Sequence, residues 1–272
     1  MTKLIFLGCG GGRHQTIDQK FGTGGFRIHE NQKLHVDPGP GSILLSRQLD
    51  LDPRNLDSVI VTHAHPDHYA DAEILVEAMN QSKKSNSKAL IGSETVFQEK
   101  EDLGPAISKY HQRKSGLTVP MKQNDTFDLN GMKINSTPTK HTDPTGIGLT
   151  IQTESGVIGY SGDTEYFDEL LDGFEDARVL ILNVTRPGKK RIPGHLCSED
   201  AIKILEEVEP ELCVMLHMGM LFLRESPKEQ SNWIESESGV NTIPGYIGTE
   251  VNMNEKIEVK RPSKQFKVDR FY

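Results

Sequence analysis

Val59-Ile60-Val61-Thr62-His63-Ala64-His65-Pro66-Asp67-His68 is an apolar run that ends in three imidazoles and a carboxylate within six residues. A β-strand alternates its faces, so its exit presents His63 and His65 on one side, two residues apart, as a pincer for one cation. Pro66, at the start of a helix, then turns Asp67 and His68 toward a second position nearby. Neutral imidazoles and a carboxylate are ligands that zinc prefers, with manganese and iron as alternatives. Ten histidines in 272 residues are no excess, and a lone His at a strand end is ordinarily solvated or hydrogen bonded. Four ligand side chains packed this tightly behind a hydrophobic strand point instead to a metal site, and two cations a few ångströms apart would suit hydrolysis.

The rest of the chain sets the frame for that site. At 272 residues it can bury a substantial core. No linker divides it, so one domain over residues 1–272 is expected, with the polar stretch Gln81 to Lys88 as a surface loop after a helix. Apolar runs such as Val179-Leu180-Ile181-Leu182 are too short to span a bilayer, and Met1-Thr2-Lys3 leads into a strand rather than a signal peptide. A cytoplasmic protein with no membrane partner is expected. Cys9, Cys197 and Cys213 form no C-x-x-C pattern and fit a reducing compartment. A net charge of -8 argues against a surface covered in nucleic-acid contacts, though it leaves room for a local patch.

Periodicity and punctuation give a coarse order of elements. Leu4 to Leu7 reads as a strand running into Gly8-Cys9-Gly10-Gly11-Gly12. Phe26 to Ile28 and Lys33 to Val36 read as paired strands closed by Asp37-Pro38-Gly39-Pro40-Gly41, followed by a helix from Ser42 to Leu49. Asp67 to Asn80 is predicted helical, with Ala70, Ile74, Leu75 and Ala78 on one face. Asn130-Gly131 marks a hairpin, and Glu154-Ser155-Gly156 a second. Helices at Glu165 to Leu171, Glu199 to Val208 and Ser226 to Glu237 alternate with strands at Val179 to Leu182 and Leu212 to Leu216. The pattern predicts an α/β fold of two sheets packed face to face under outer helices, a four-layer αββα sandwich.

Two metals need more ligands than one loop supplies. His141, Asp163 and His217 each follow an apolar strand, in Thr139-Lys140-His141-Thr142, Ser161-Gly162-Asp163-Thr164 and after Leu212 to Leu216. With Val36-Asp37-Pro38-Gly39 and the His63 to His68 core, these segments resemble the metallo-β-lactamase superfamily over most of the chain and in that family's order. The resemblance implies an αββα sandwich with a binuclear site at the edge between its sheets. It implies that His63, His65 and His141 hold the first metal, that Asp67, His68 and His217 hold the second, and that Asp163 bridges them. Asp37 would orient the metal loop from outside.

The branch of the superfamily decides the substrate. In the antibiotic-degrading enzymes a Cys usually stands where Asp163 stands here, and those proteins are exported. Flavo-diiron proteins generally carry Glu in place of one motif His. Thioester hydrolases resembling glyoxalase II share the ligand set. His195, in Gly194-His195-Leu196-Cys197-Ser198, is similar to the additional, non-ligand His of the ribonuclease Z and phosphodiesterase branch, where it contacts phosphate. Upstream, Arg186-Pro187-Gly188-Lys189-Lys190-Arg191 puts four cations in six residues. A charge run is ordinarily a solvated face, but here Lys189, Lys190 and Arg191 lie beside His195 and suit an anion-binding loop. Arg13, His14 and Gln15 would add a second wall. The stretch between His141 and Asp163 holds one hairpin only, so the long arm that grips transfer RNA has no room. The acidic HEAT-type segment is replaced by Leu182-Asn183-Val184-Thr185. Transfer-RNA precursors are therefore disfavoured, and the fit is better to archaeal and bacterial members described only as metal-dependent hydrolases.

The expected reaction is hydrolysis of a small-molecule or nucleotide phosphodiester, with nucleic acid as an open possibility. Two divalent cations, zinc first and manganese or iron as alternatives, would lower the pKa of a water between them. Asp67 would orient its proton, and His195 would bind a non-bridging oxygen or protonate the departing alkoxide. An acyl hydrolase of thioesters or lactones is the alternative enzyme, and a non-catalytic metal-binding protein the alternative from another class. The glycines at 8 to 12 lack the Lys-Ser/Thr of a P-loop and read as a tight turn near the site. The sequence leaves the oligomeric state open, a homodimer included.

Overall fold

The computed structural model describes residues 1–81 and 88–262, so the middle of the expected Gln81 to Lys88 loop lies outside the described residues. The first half of the chain lays down β1 (Thr2–Phe6), β2 (Phe26–His29), β3 (Lys33–Val36), β4 (Ser58–Val61), β5 (Ala89–Ser93) and β6 (Leu117–Met121). The second half lays down β7 (Thr126–Leu129), β8 (Met132–Pro138), β9 (Ile147–Thr153), β10 (Gly156–Tyr160), β11 (Ala177–Arg186), β12 (Leu196–Cys197), β13 (Leu212–Leu216) and β14 (Thr242–Pro244). β15 (Glu250–Met253) and β16 (Ile257–Lys260) then return to the first sheet. Strand order is β16-β15-β1-β2-β3-β4-β5-β6 in one sheet and β14-β13-β11-β10-β9-β8-β7 in the other, with β12 paired to β11. β3 to β6 run parallel, as do β10, β11, β13 and β14, so that the chain leaves these strands at a common edge in each sheet.

Among the described residues there are eight α-helices: α1 (Gly12–Asp18), α2 (Ser42–Gln48), α3 (Pro66–Tyr69), α4 (Ala72–Met79), α5 (Glu94–Phe97), α6 (Lys109–Lys114), α7 (Ser198–Val208) and α8 (Pro227–Ser238). The alternation of β4 shows why the layers form. Ile60 joins the inter-sheet core with Phe6, Phe26 and, from the opposite sheet, Ile134, Ile151 and Leu182. Val59 and Val61 point the other way, onto Leu75 and Val76 of α4. A strand buried on both faces needs the continuous apolar run that Val59-Ile60-Val61 supplies, each side chain contributing roughly 1.5–3 kcal/mol when buried. α5 and α6 pack on the same sheet as α4, while α7 and α8 pack on β11 and β14. The result is the four-layer αββα sandwich predicted from the sequence.

The hairpin at Asn130-Gly131 forms as predicted, with φ of 51° and 93° at its two central residues. Two helices differ from expectation. Asp67 to Asn80 is split into α3 and α4, because the Asp71 amide donates to the Pro38 carbonyl at 3.0 Å and its carboxylate accepts from the Ile43 amide at 2.9 Å. Tying Asp71 to the Asp-Pro-Gly-Pro-Gly turn restarts the helix in a new phase, so Ile74 is 49% exposed and Val76 and Met79 are buried instead. Glu165 to Leu171 forms only a 3-10 turn at Asp168–Gly173. There the Glu165 amide is held by the Lys140 carbonyl and its carboxylate by the Gly194 amide. All three cysteines are buried and free. Among the described residues no helix is long and apolar enough to cross a membrane.

Candidate metal centre

The strand ends of both sheets converge on one place. β4 runs out through Thr62 into His63, Ala64 and His65, and Pro66 opens α3 with Asp67 in its first turn and His68 beneath it. β8 delivers His141, β10 delivers Asp163, and β13 delivers His217. His63 Nε2 lies 2.9 Å from His65 Nδ1, which lies 3.1 Å from His141 Nε2. On the other side, Asp67 Oδ2 lies 3.0 Å from His217 Nε2 and 3.7 Å from His68 Nε2. Asp163 Oδ2 stands between the two groups, 3.9 Å from His63, 3.8 Å from His141, 3.5 Å from His68 and 3.1 Å from His217. The structure thus brings together all seven residues named from the sequence.

The far side of four of the five ligand rings is tied down. His68 Nδ1 donates to Asp37 Oδ2 at 2.9 Å and His141 Nδ1 to the Gly194 carbonyl at 2.8 Å. His63 Nδ1 meets the Thr62 hydroxyl at 3.1 Å, and that hydroxyl donates to Asp37 Oδ2 at 2.8 Å. His217 Nδ1 meets the Thr185 hydroxyl at 2.9 Å. Such outer contacts fix the tautomer and leave the inward nitrogen with a free lone pair, the state a metal requires. Asn183 Nδ2 donates to Asp163 Oδ1 at 2.7 Å, which holds Oδ2 toward the imidazoles. Asp143 accepts from the Ala64 amide at 2.9 Å and so pins the motif loop.

The Gly-rich turn is packed against the centre. The Gly12 amide donates to Asp67 Oδ2 at 2.7 Å. A Cβ on Gly11 would stand 2.1 Å from His217 Cδ2, so the loop lies flush on that ring, and His217 itself adopts φ of 56°. A non-glycine residue in the left-handed region is costly and is retained where the surroundings demand it.

Electrostatics test whether these residues suit a cation. Burial opposes ionisation of Asp163, yet His217 and His68 outweigh it and hold the carboxylate well below its usual range. Asp67 is likewise held down by His68 and His217 against burial. Burial also opposes charge on His68, but Asp163, Asp67 and Asp37 around it push its imidazole well above the ordinary value. Two ionised carboxylates in a buried place need a compensating positive charge. His68 Nε2 is buried without a hydrogen-bond partner. A cation among the inward nitrogens would supply the charge and satisfy those lone pairs at once, so the donor set fits divalent metal. His63, His65 and His141, and separately Asp67, His68 and His217, each place their ligand atoms within 4.8 Å of one another. His141, Asp163 and His195 form a further such group, and His195 Nδ1 is 3.7 Å from Asp163 Oδ2.

A cavity of about 540 Å³ opens onto these atoms, walled by Arg13, Thr16, Ile17, Thr142 and His195. Burial pushes the His195 imidazole down to about 4, against the pull of Asp163. Arg13 and His14 are exposed on α1, whereas Gln15 is buried and its side-chain Oε1 accepts from the Phe21 amide. The basic loop is occupied by acidic partners. Lys189 pairs with Glu199 at 2.8 Å, Lys190 with Glu225, and Arg191 with the buried Asp200 at 2.7 Å. Sequence reasoning missed Thr62, Tyr160, Asn183 and Thr185. The signal for two of them was present, since Asn183 and Thr185 are polar side chains two apart that directly follow the apolar run Val179–Leu182 of β11.

The Beta-lactamase superfamily domain matches residues 32–218 of this chain. The "Uncharacterized protein MJ1374" of Methanocaldococcus jannaschii is 41% identical over 255 residues, covering 93% of this chain and 95% of that protein. Among solved structures, the metallo-beta-lactamase fold protein YhfI of Bacillus subtilis superposes with a TM-score of 0.74 at 20% identity, over 92% of this chain and 99% of that one. Human tRNase Z, short form, superposes with a TM-score of 0.69 at 14% identity, over 93% and 99%. At these identities the two structures speak for the fold.

Proposed function

The chain belongs to the β-lactamase superfamily, and from that membership and the geometry of its strand ends we propose that it is a binuclear metal-dependent phosphodiesterase. The observation that carries the reading is the pair of three-ligand groups joined through Asp163 Oδ2, with His195 beside them at the cavity wall. His63, His65 and His141 would hold one divalent ion, Asp67, His68 and His217 the other, and Asp163 both, zinc being the first candidate. Such ions, when bound, supply the charge that activates water near neutral pH and draws electron density from a phosphoryl group.

The protein's own groups set the geometry. With Nε2 of His217 unprotonated, its Nδ1 donates to Thr185 Oγ1, and the Thr185 proton is free to reach His195 Nδ1 at 3.2 Å. His195 then carries its proton on Nε2. A neutral imidazole in that tautomer hydrogen-bonds a non-bridging phosphoryl oxygen or steadies the departing alkoxide. Asp67 Oδ2, fixed by the Gly12 amide, orients the attacking water's proton. Sequence likeness to the Ribonuclease Z of Clostridium beijerinckii, 26% identical over 103 residues and 38% of this chain, supports phosphodiester chemistry, and the single hairpin between His141 and Asp163 argues against transfer RNA as the substrate.

Purified protein loaded with zinc or manganese is expected to cleave bis-p-nitrophenyl phosphate. His195→Ala should lower kcat by about 10²–10⁴ with metal content unchanged. Failure across metals, together with turnover of a thioester or lactone, would overturn the reading. That acyl-hydrolase alternative is kept by one observation, the engagement of Lys189, Lys190 and Arg191 with carboxylates, which lessens the attraction of the loop beside His195 for an anionic substrate.

A further inference from the structure

His195 borders two cavities. Beyond the one that opens on the ligand atoms lies a second, of about 410 Å³, walled by Tyr166, Ile192, Pro193, Lys203 and His195 itself, with Glu165 and the Arg191–Asp200 pair completing the lining. Both volumes fall within the ~300–1,000 Å³ typical of small-molecule sites. The wall of the second cavity is fastened to the metal centre. The Gly194 amide donates to Glu165 at 2.9 Å, and the Gly194 carbonyl takes the Nδ1 proton of His141 at 2.8 Å. Arg191 is anchored on the buried Asp200. The cavity is therefore set in place relative to the ligand groups rather than hung on a free loop.

Its lining differs from that of the first. Tyr166 offers a half-buried ring, with the Lys203 ammonium 5.7 Å from its centroid. Ile192 and Pro193 add apolar surface, and Lys203 places a cation at the margin, Arg191 being already paired with Asp200. A flat aromatic group adjoining an anion suits such a surface, because a ring stacks on tyrosine and apolar side chains while the Lys203 ammonium faces the anion. Resting on the phosphodiesterase reading above, we propose that the second cavity holds a nucleobase on one arm of a linear phosphodiester whose phosphorus lies beside His195 and whose other arm occupies the first cavity. A cyclic phosphodiester joins both ester oxygens to one sugar and fills one cavity only. The preferred substrate class is then a dinucleotide or short oligonucleotide.

The test compares the linear dinucleotide ApA with 2′,3′-cyclic AMP in steady-state kinetics on the full-length, metal-loaded protein, using wild type, Tyr166→Ala and the cavity-filling Ile192→Trp. Loss of one base-stacking contact corresponds to roughly a five- to hundredfold rise in KM. Both variants are expected to raise KM for ApA into that range with metal content unchanged, and to do so at least fivefold more than for the cyclic substrate. A KM for ApA within twofold of wild type in both variants, equal losses on the two substrates, or a wild type that cleaves only the cyclic one would overturn the two-armed site. Where wild type cleaves only ApA, the change in its KM decides alone. If wild type cleaves bis-p-nitrophenyl phosphate but neither nucleotide, the nucleobase assignment fails and the phosphodiesterase reading stands. If it cleaves no phosphodiester at all with metal bound, that reading fails and takes the inference with it.

Discussion

Asp37→Asn separates the metal loop's support from the metal ligands themselves. Asp37 Oδ1 accepts from the Thr62 amide at 2.7 Å, and Oδ2 accepts from the Thr62 hydroxyl at 2.8 Å, His68 Nδ1 at 2.9 Å and the Tyr160 hydroxyl at 2.8 Å. An asparagine of the same shape keeps one acceptor and presents an amide NH₂ in place of the other. Its cheaper orientation leaves the oxygen toward the three side-chain donors and sets NH₂ against the Thr62 amide. One buried backbone N–H is then unpaired, at about 1–3 kcal/mol, and three charge-assisted bonds become neutral ones, at about 1 kcal/mol each. The sum, about 4–6 kcal/mol as an upper figure, is a large part of the 5–15 kcal/mol that holds a typical domain. His68 Nδ1 would then donate to a neutral amide oxygen in place of a carboxylate, and outer partners of this kind are worth about 10–100-fold in metal affinity. Urea denaturation of the metal-free protein and competition with a chelator measure the two effects separately. A variant with wild-type stability, or one that binds zinc within threefold of wild type, would refute the assignment of Asp37 as the group that positions His68.

Gly11→Ala should cost at least about tenfold in metal affinity, since its Cβ would stand 2.1 Å from His217 Cδ2 and the ring must shift; chelator competition would expose an unaltered affinity as evidence against that close packing. Burial and the Arg27 guanidinium hold His35 down to about 3, while the unfolded chain protonates it near 6.5, so its contribution is complete above 6.5 and falls away as pH drops toward 3. At pH 5 the loss is roughly 2 kcal/mol relative to pH 7.5, to be read as the flatter urea-stability profile of His35→Gln beside wild type; equal slopes would contradict it. Lys189→Ala and Lys190→Ala should change kcat/KM on a phosphodiester by less than about threefold, because exposed pairs with Glu199 and Glu225 already engage them, whereas Arg13→Ala, which opens onto the ligand cavity, should raise KM more. A large, salt-dependent loss at either lysine would return anion binding to that loop.

What the sequence disclosed follows from the range over which each feature acts. His63, His65, Asp67 and His68 are fixed by a strand end and one proline, so spacing alone exposes them. His141, Asp163 and His217 lie far apart in the chain but share the habit of following an apolar strand, and that recurrence is visible without coordinates. Nothing in Val157-Ile158-Gly159-Tyr160 says that the Tyr160 hydroxyl ends on Asp37 of the other sheet. The break between α3 and α4 was equally hidden: residues 67 to 80 have adequate helical periodicity, and only the tertiary bonds of Asp71 to Pro38 and Ile43 interrupt it. The basic loop was legible as charge, but its partners Glu199, Asp200 and Glu225 become neighbours only when α7 and the turn after β13 pack beside it.

These misses share a cause that bears on how the site works. Asp37, at the end of β3 in one sheet, accepts from Tyr160, at the end of β10 in the other, and from His68 between them. Asn183 of the second sheet reaches both the Tyr160 hydroxyl, at 3.0 Å, and Asp163. The hydrogen bonds that dock the two sheets at this edge are therefore the ones that aim the putting-together of ligands: His68 and His63 from the first sheet's loop, Asp163 from the second. A group that joins two sheets cannot adjust for one without disturbing the other, because close-packed interiors shift between discrete arrangements rather than deform smoothly. Geometry of the centre is in this way a property of sheet docking, which is why a single strand's sequence names the ligands and leaves out what holds them.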